Sequence, residues 1–324
     1  MDLSIVIPVY NSQLTLVELH RRLVASVSGI VEEFEIILVD DSSSDGSWQV
    51  IQDIAAKDSR VKGIHLTQNF GQHAATICGI SRTAGEWVVT LDDDLQQRPE
   101  DIPQLVAHAR GGMDLVYGYY RDTTHSWGRK LTSRIIRRLF ALAIPNLFPK
   151  CSSFRVINGR IARTLPHFES PYPFVDGFLS WLTHRYVVVD VEHARRPHGE
   201  SNYDFRKLAT TAANIFITFS DLPLKLASLL GLVAFLVGMV WLGIILAIKI
   251  FWEIGVSGYA SLMAGIIFFG GIQLLILGIF GEYLGRMNFR ISRKPAYLVA
   301  KETAPRDAPR RADDAATEGA PREH

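Results

Sequence analysis

Two stretches in the C-terminal third set the first limit on what this chain can fold into. From Leu226 to Ile248, and again from Ile254 to Gly281, there is no charged residue. Each run is long enough to cross a hydrocarbon layer about 30 Å thick, and neither shows the polar face that a core helix of this length usually carries. The short connection holds Lys249 and Glu253, so a two-helix transmembrane hairpin is expected over residues 223–285, with two buried core helices as the alternative. Arg206, Lys207 and Lys225 precede the first run and Arg286, Arg290, Arg293 and Lys294 follow the second, against Lys249 alone in the turn. That asymmetry puts both termini of a multi-pass protein on the cytoplasmic side. The chain opens directly on "LSIVIPVY", without a basic-then-apolar leader, so the large N-terminal region is expected to stay cytoplasmic. Neither run offers an ionisable residue for a polar path, which speaks against a channel or transporter; Glu282 lies at the edge.

The remainder is long enough for one catalytic domain, expected over residues 1–222. A net charge of +1 on 324 residues gives no electrostatic bias toward nucleic acid. Cys78 and Cys151 lack CxxC spacing, so neither a disulfide framework nor a zinc site is suggested. Up to about residue 120 the chain alternates apolar, β-branched runs ("LSIVIPVY", "FEIILVDD", "VKGIHLT", "EWVVTLDD", "DLVYGYY") with helical patterns, one starting near Asp45 and one at Pro99. Strands that read as continuous apolar runs imply a mostly parallel sheet covered on both faces, an α/β, Rossmann-like architecture. Residues 127–147 place Arg129, Lys130, Arg134, Arg137 and Arg138 among Leu131, Ile135, Leu139 and Leu142. This is the pattern of an amphipathic helix lying among lipid headgroups, with a solvated surface helix as the alternative. "FRKLATTAANIFITFSDLPLK" reads as a second interfacial segment. Residues 286–324 are expected to be a cytoplasmic tail, disordered from about residue 302 because it has little to bury.

Ligands of such sheets bind beyond the carboxyl ends of the strands, and three of those ends carry unusual residues: Tyr10 with Asn11, Asp40 with Asp41, and Asp92 to Asp94 in "VVTLDDDLQQRPEDIP". Alternation along a strand would turn Asp92 and Asp94 the same way, about 7 Å apart, with Asp93 opposite. Carboxylates that close repel unless a cation sits between them. A hard divalent ion, Mg²⁺ or Mn²⁺, is expected, completed by waters and substrate phosphates, with Gln96 able to add a carbonyl oxygen. There is no G-x-G-x-x-G after the first strand and no G-x-x-x-x-G-K-[ST], which argues against a dehydrogenase or a P-loop NTPase. Carboxylates for base and ribose with a metal for the diphosphate are what a sugar nucleotide requires.

The runs "SIVIPVYNS", "ILVDDSSSDGS", "QNFGQHAATICGI", "TLDDDLQQRPEDIP", "SSFRVINGR" and "HGESNYDFRKL" resemble, in order, the family 2 inverting glycosyltransferases of GT-A fold, in the branch acting on polyprenyl phosphates. The resemblance covers roughly residues 2–295. It implies a metal-dependent transfer from a nucleotide-sugar, expected to be a UDP-sugar, to a membrane polyprenyl phosphate, expected to be undecaprenyl phosphate. The product would be a lipid-linked sugar for cell-envelope glycan modification. By position it implies that Asp40 contacts the base, that Pro8 and Tyr10 line the nucleoside pocket with Asp41 and Asp93 in the same nucleotide-binding set, and that Asp92, Asp94 and Gln96 hold the metal. Arg121, Arg155 and Arg196 match basic positions facing the donor diphosphate or acceptor phosphate, where a guanidinium fork suits bidentate contact. It also implies a homo-oligomer held through membrane and interfacial segments.

Three departures qualify the match: Ser12 where relatives often carry Glu, Asn202 in place of a common Lys, and Ser153 where some relatives have an aspartate proposed as a base. The last is tolerable for a phosphate acceptor, whose second pKa near 6 leaves the attacking oxygen largely anionic at neutral pH. A single-step inversion then needs alignment and charge handling more than a general base. His73 and His198 are expected to be structural. The rival readings are a processive polysaccharide synthase, disfavoured by the missing Q-x-x-R-W, and a membrane-tethered scaffold without turnover, disfavoured by the retained acidic residues.

Overall fold

A computed structural model describes residues 1–120, 148, 150–168, 170, 173–192, scattered positions between 227 and 247, 258–291 and 295–303. The five expected strands are present: β1 Leu3–Val9, β2 Phe34–Asp40, β3 Val61–Leu66, β4 Trp87–Thr90 and β5 Leu115–Tyr120. Between them run α1 Leu16–Val27, α2 Ser47–Lys57, α3 Gln72–Ile80 and α4 Ile102–Arg110, the last entered through a 3₁₀ turn at Pro99–Asp101. Three further strands complete the sheet, β6 Arg155–Asn158, β7 Tyr186–Val191 and β8 Val299–Glu302, with helix α5 over Val175–Leu182 before β7. The order across the eight strands is β7-β5-β6-β4-β1-β2-β3-β8. Only β6 and β8 run against their neighbours, so the sheet is mostly parallel, as the apolar runs require.

Every residue of β1 and β2 is buried. Leu3, Ile5, Ile7 and Val9 pack with Leu16, Leu19 and Leu23 of α1 and with Leu105 and Val106 of α4. Val6, Ile37 and Val39 point to the other face, against Ala75 and Cys78 of α3 and Phe178 and Leu179 of α5. Each such apolar side chain contributes about 1.5–3 kcal/mol on burial, which explains why these strands show no polar alternation. α3 sits close on the sheet because residue 79 is glycine, where an added β-carbon would collide with Val6 Cγ1. Buried Glu35 is held by Ser4 Oγ at 2.7 Å, Lys62 Nζ at 2.6 Å and the Ala84 N–H at 2.8 Å. α2 starts two residues after its expected cap: Asp45 Oδ1 accepts the Ser47 N–H at 2.9 Å from outside the helix.

The C-terminal region differs from expectation in two ways. Helix α6, Tyr259–Ile291, runs ten residues past the end of the second apolar run, and its window Phe268–Gly285, with mean hydropathy 1.5, is long and apolar enough to cross a membrane. A shorter apolar helix covers Gly231–Trp241. At 1.5 Å per residue α6 is about 50 Å long, well beyond a hydrocarbon layer. The chain after it returns to the sheet. β8 adds antiparallel to β3, Tyr297 Oη donates to Ser81 Oγ at 3.2 Å, and Arg82 pairs with Glu302 at 2.8 Å. The expected basic helix at 127–147, the lead-in before residue 226, the turn with Lys249 and Glu253, and the tail from residue 304 lie outside the described residues.

Candidate active site

The C-terminal ends of β1, β2 and β4 lie side by side, since these strands are parallel neighbours, and the polar residues that follow them form one rim. Pro8 is buried within β1, and Tyr10, half exposed just beyond it, turns its N–H to Asp93 Oδ2 at 2.9 Å. The loop continues through Asn11, in the left-handed region with φ 53°. Asn11 Oδ1 accepts the Ser44 N–H at 2.8 Å and its own N–H donates to Ser43 Oγ at 2.9 Å, lacing the β1 loop to the β2 loop. Thr15 Oγ1 donates to the Asp93 carbonyl at 2.8 Å. Three chain segments are thereby laced together at the rim.

β4 stops at Thr90, so Asp92 to Asp94 lie in a loop and strand alternation does not set their directions. Their separation arises from different partners. Asp93 turns to the β1 loop, whereas Asp92 is gripped from the opposite side. Its Oδ2 accepts Gln97 Nε2 at 2.9 Å and Ser153 Oγ at 2.7 Å, its backbone N–H donates to Gln97 Oε1 at 2.8 Å, and its Oδ1 accepts Gln72 Nε2 at 2.5 Å. Asp94 Oδ1 accepts the Gln96 N–H at 3.1 Å, closing the turn. That turn passes through Leu95 at φ 61°, a strained conformation for a branched side chain, held by burial of Leu95 in the core.

Asp40 is fully buried at the end of β2, with Oδ2 2.5 Å from His65 Nδ1. A carboxylate only accepts, so that ring nitrogen carries the proton. His65 in turn lies over Trp48, ring centroids 5.1 Å apart.

Two expected site residues are committed elsewhere. Asp41 is buried and its two oxygens accept the Phe70 and Gly71 N–H groups at 2.7 and 2.8 Å, so it anchors the loop into α3 instead of facing a nucleotide. Burial pushes its carboxyl above the ordinary range against those two bonds. Arg155 opens β6 only 2% exposed, ion-paired with Asp176 of α5, its Nε donating to Thr90 Oγ1 at 3.0 Å. Tyr117 Oη donates to the same Asp176 carboxylate at 2.8 Å. Arg155 therefore supports the sheet under the acidic loop, with Nε committed to Thr90 and Nη1 to Asp176. Arg121 and Arg196 lie outside the described residues. The pattern of the chain gave no hint of these partners of Asp92: Gln72 opens α3, Ser153 precedes β6, and Gln97 lies five residues on in the same loop.

Burial, opposed by the Ser153 hydroxyl and reinforced by the charges of Asp94 and Asp93, pushes the Asp92 carboxyl up to about 6. Burial pushes Asp93 up to about 6 as well, against bonds from Ser12 and the Tyr10 N–H. Crowded acids held by neutral amides and hydroxyls are what a hard cation relieves, so this donor set fits Mg²⁺ or Mn²⁺. Among the described residues no group of three or more His, Cys, Asp or Glu side chains is placed to hold a metal ion, so an ion here would take its remaining ligands from phosphates and water. His73, against Phe174 at 5.4 Å, has its imidazole lowered by burial to about 4 and so stays neutral.

A family model described as glycosyl transferase family 2 matches residues 4–164. Undecaprenyl-phosphate 4-deoxy-4-formamido-L-arabinose transferase of Edwardsiella ictaluri is 33% identical over 300 residues, covering 91% of this chain and 92% of that protein. The transferase of the same description from Proteus mirabilis is 33% identical over 92% of this chain and 93% of its own. An uncharacterized glycosyltransferase of Synechocystis sp. is 32% identical over 93% and 95%. Coverage that broad extends through the apolar C-terminal helices as well as the sheet. Among solved structures, glucosyl-3-phosphoglycerate synthase from Mycobacterium tuberculosis, in complex with Mn²⁺ and UDP-glucose, is 21% identical, covering 67% of this chain and 77% of that one with a TM-score of 0.48.

Proposed function

The chain belongs to glycosyl transferase family 2, and from that premise we propose that it transfers a sugar, with inversion, from a UDP-sugar to undecaprenyl phosphate at the cytoplasmic face of a bacterial inner membrane. What carries this reading is the crowding of Asp92, Asp93 and Asp94 at the carboxyl rim of a parallel sheet, in a chain whose likeness to two undecaprenyl-phosphate transferases runs through its apolar helices.

In this reading Pro8 and Tyr10 line the nucleoside pocket and Asp40, fixed by His65, reads the base. Asp93 holds the β1 loop in register with the acidic turn. Asp92 and Asp94, with Gln96 beside them, hold Mg²⁺ or Mn²⁺, which when bound supplies charge stabilisation to the departing nucleoside diphosphate. Arg121 and Arg196 screen the repulsion between donor and acceptor phosphates. Ser153 is no base, and none is needed: the acceptor phosphate is mostly dianionic at neutral pH and attacks the anomeric carbon directly. The bond from that carbon to the diphosphate breaks as the new one forms, with no enzyme-bound sugar. The apolar helices hold the rim at the depth of the lipid headgroup.

Purified protein in detergent, incubated with undecaprenyl phosphate and a panel of radiolabelled sugar nucleotides with and without EDTA, tests this. Metal-dependent label in the lipid fraction is expected. Label in a long polymer would favour a processive synthase, and no label from any donor would favour a scaffold.

A further inference from the structure

Position 153 carries serine where some relatives have an aspartate, and the structure gives that serine a definite task. Ser153 Oγ and Gln97 Nε2 both donate to one oxygen of Asp92, Oδ2, at 2.7 and 2.9 Å, and Gln97 Nε2 also donates to Ser153 Oγ at 2.6 Å. Gln97 is 4% exposed, and its Oε1 accepts the Asp92 backbone N–H at 2.8 Å. One amide therefore holds the residue by main chain and side chain together. Ser153 is fixed from behind as well: its carbonyl accepts Thr90 Oγ1 at 2.6 Å, and Thr90 receives Arg155 Nε at 3.0 Å.

A carboxylate oxygen has two in-plane lone pairs, and two donors saturate Oδ2. Only Oδ1 keeps capacity, and its neighbour there is the exposed amide of Gln72, which can swing aside. We propose that Gln97 and Ser153 form a clamp that makes Asp92 a one-oxygen cation ligand through Oδ1, so that both are positioning residues of the metal site. The proposal rests on the cation site of the proposed function. An aspartate at 153 would set a second carboxylate against Oδ2, so the serine belongs with the buried glutamine as one device. Partners that orient a ligating carboxylate typically change metal affinity 10–100-fold when removed.

Full-length protein in detergent is titrated with Mn²⁺ while free Mn²⁺ is counted by electron paramagnetic resonance, with melting temperatures recorded in parallel. Ser153→Ala and Gln97→Met should each weaken Mn²⁺ binding about tenfold, Ser153→Thr should retain affinity by keeping the hydroxyl, and the double variant should lose little more than the worse single one, because both act on one oxygen. Wild-type affinity in both Ser153→Ala and Gln97→Met, or a lowered melting temperature with Mn²⁺ affinity unchanged, would overturn the clamp and leave the metal site standing. Equal Mn²⁺ binding by wild type and Asp92→Ala would instead overturn the metal site, and the clamp with it.

Discussion

Asp41 and Gly71, thirty residues apart, are joined by a single 2.8 Å bond from the Gly71 N–H to the Asp41 carboxylate, and that bond sets where α3 begins. Gly71 stands at φ 90° and ψ 156°, a backbone region open almost only to glycine, and the next residue is Gln72, whose amide meets Asp92. Gly71→Ala should cost about 1–3 kcal/mol, and Asp41→Asn, which sets an amide against two buried N–H donors, about as much. Both should lower the melting temperature and also transfer activity, because the loop beside the acidic turn loses its anchor. An active, destabilised Asp41→Asn would show that the loop matters to the fold alone.

Asp92→Asn and Asp94→Asn each remove one of two charges proposed to hold the cation. A metal supplies several kcal/mol to such a step. A loss of about 4 kcal/mol corresponds to roughly a thousandfold fall in kcat. EDTA should silence the wild type, with Mg²⁺ or Mn²⁺ restoring it. Radiolabel transfer to undecaprenyl phosphate reads both effects, and turnover that survives both substitutions would remove the acidic loop from the mechanism.

Sequence patterning revealed much of the sheet but little of what holds the site. β1 and β2 were legible because both faces are buried and, Glu35 and the terminal Asp40 apart, every position is apolar or small. β6 and β8 are four residues each, and β8, "VAKE", is mostly exposed and held by pairing with β3; no pattern announces a strand defined by its neighbour. Asp92 to Asp94 stood out as charge at a strand end, yet Gln72 at the start of α3 and Ser153 before β6 reach them only through the tertiary fold. Arg155 was assigned to a phosphate by its place in "SSFR", whereas the fold pairs it with Asp176. The counter-signal was present: Arg155 sits between Phe154 and Val156, and a lone Asp176 interrupts "FVDGFL".

Acid stability should depend on Asp58, which follows α2 and reaches back to α1. Its Oδ1 accepts Arg60 Nε at 2.8 Å, and its Oδ2 lies 2.7 Å from Arg60 Nη2 and 2.9 Å from His20 Nε2. The Arg60 guanidinium, more than the Arg60 N–H and His20, holds the carboxyl well below its ordinary 3.8 despite partial burial. A folded value below the unfolded one means stability present above about pH 4 and lost as pH falls through the folded value. The gap in urea midpoint between wild type and Asp58→Asn should be constant at neutral pH and close in acid. A gap that widens on acidification would refute the assignment.

Arg155 and Asp176 offer a direct choice between a structural pair and a phosphate ligand. Both are buried, 2% and 6% exposed, and the Tyr117 hydroxyl completes the cluster. Removing one partner of a buried ion pair leaves a lone charge in a medium that solvates it poorly and typically costs about 3–5 kcal/mol. Arg155→Met should therefore melt far below wild type, and Asp176→Leu should as well. The double variant should regain a large part of the loss, because the charges vanish together. Were Arg155 a phosphate ligand, Arg155→Met would fold with near wild-type stability and lose turnover alone. Melting curves of the three variants, measured beside transfer rates, decide between the two.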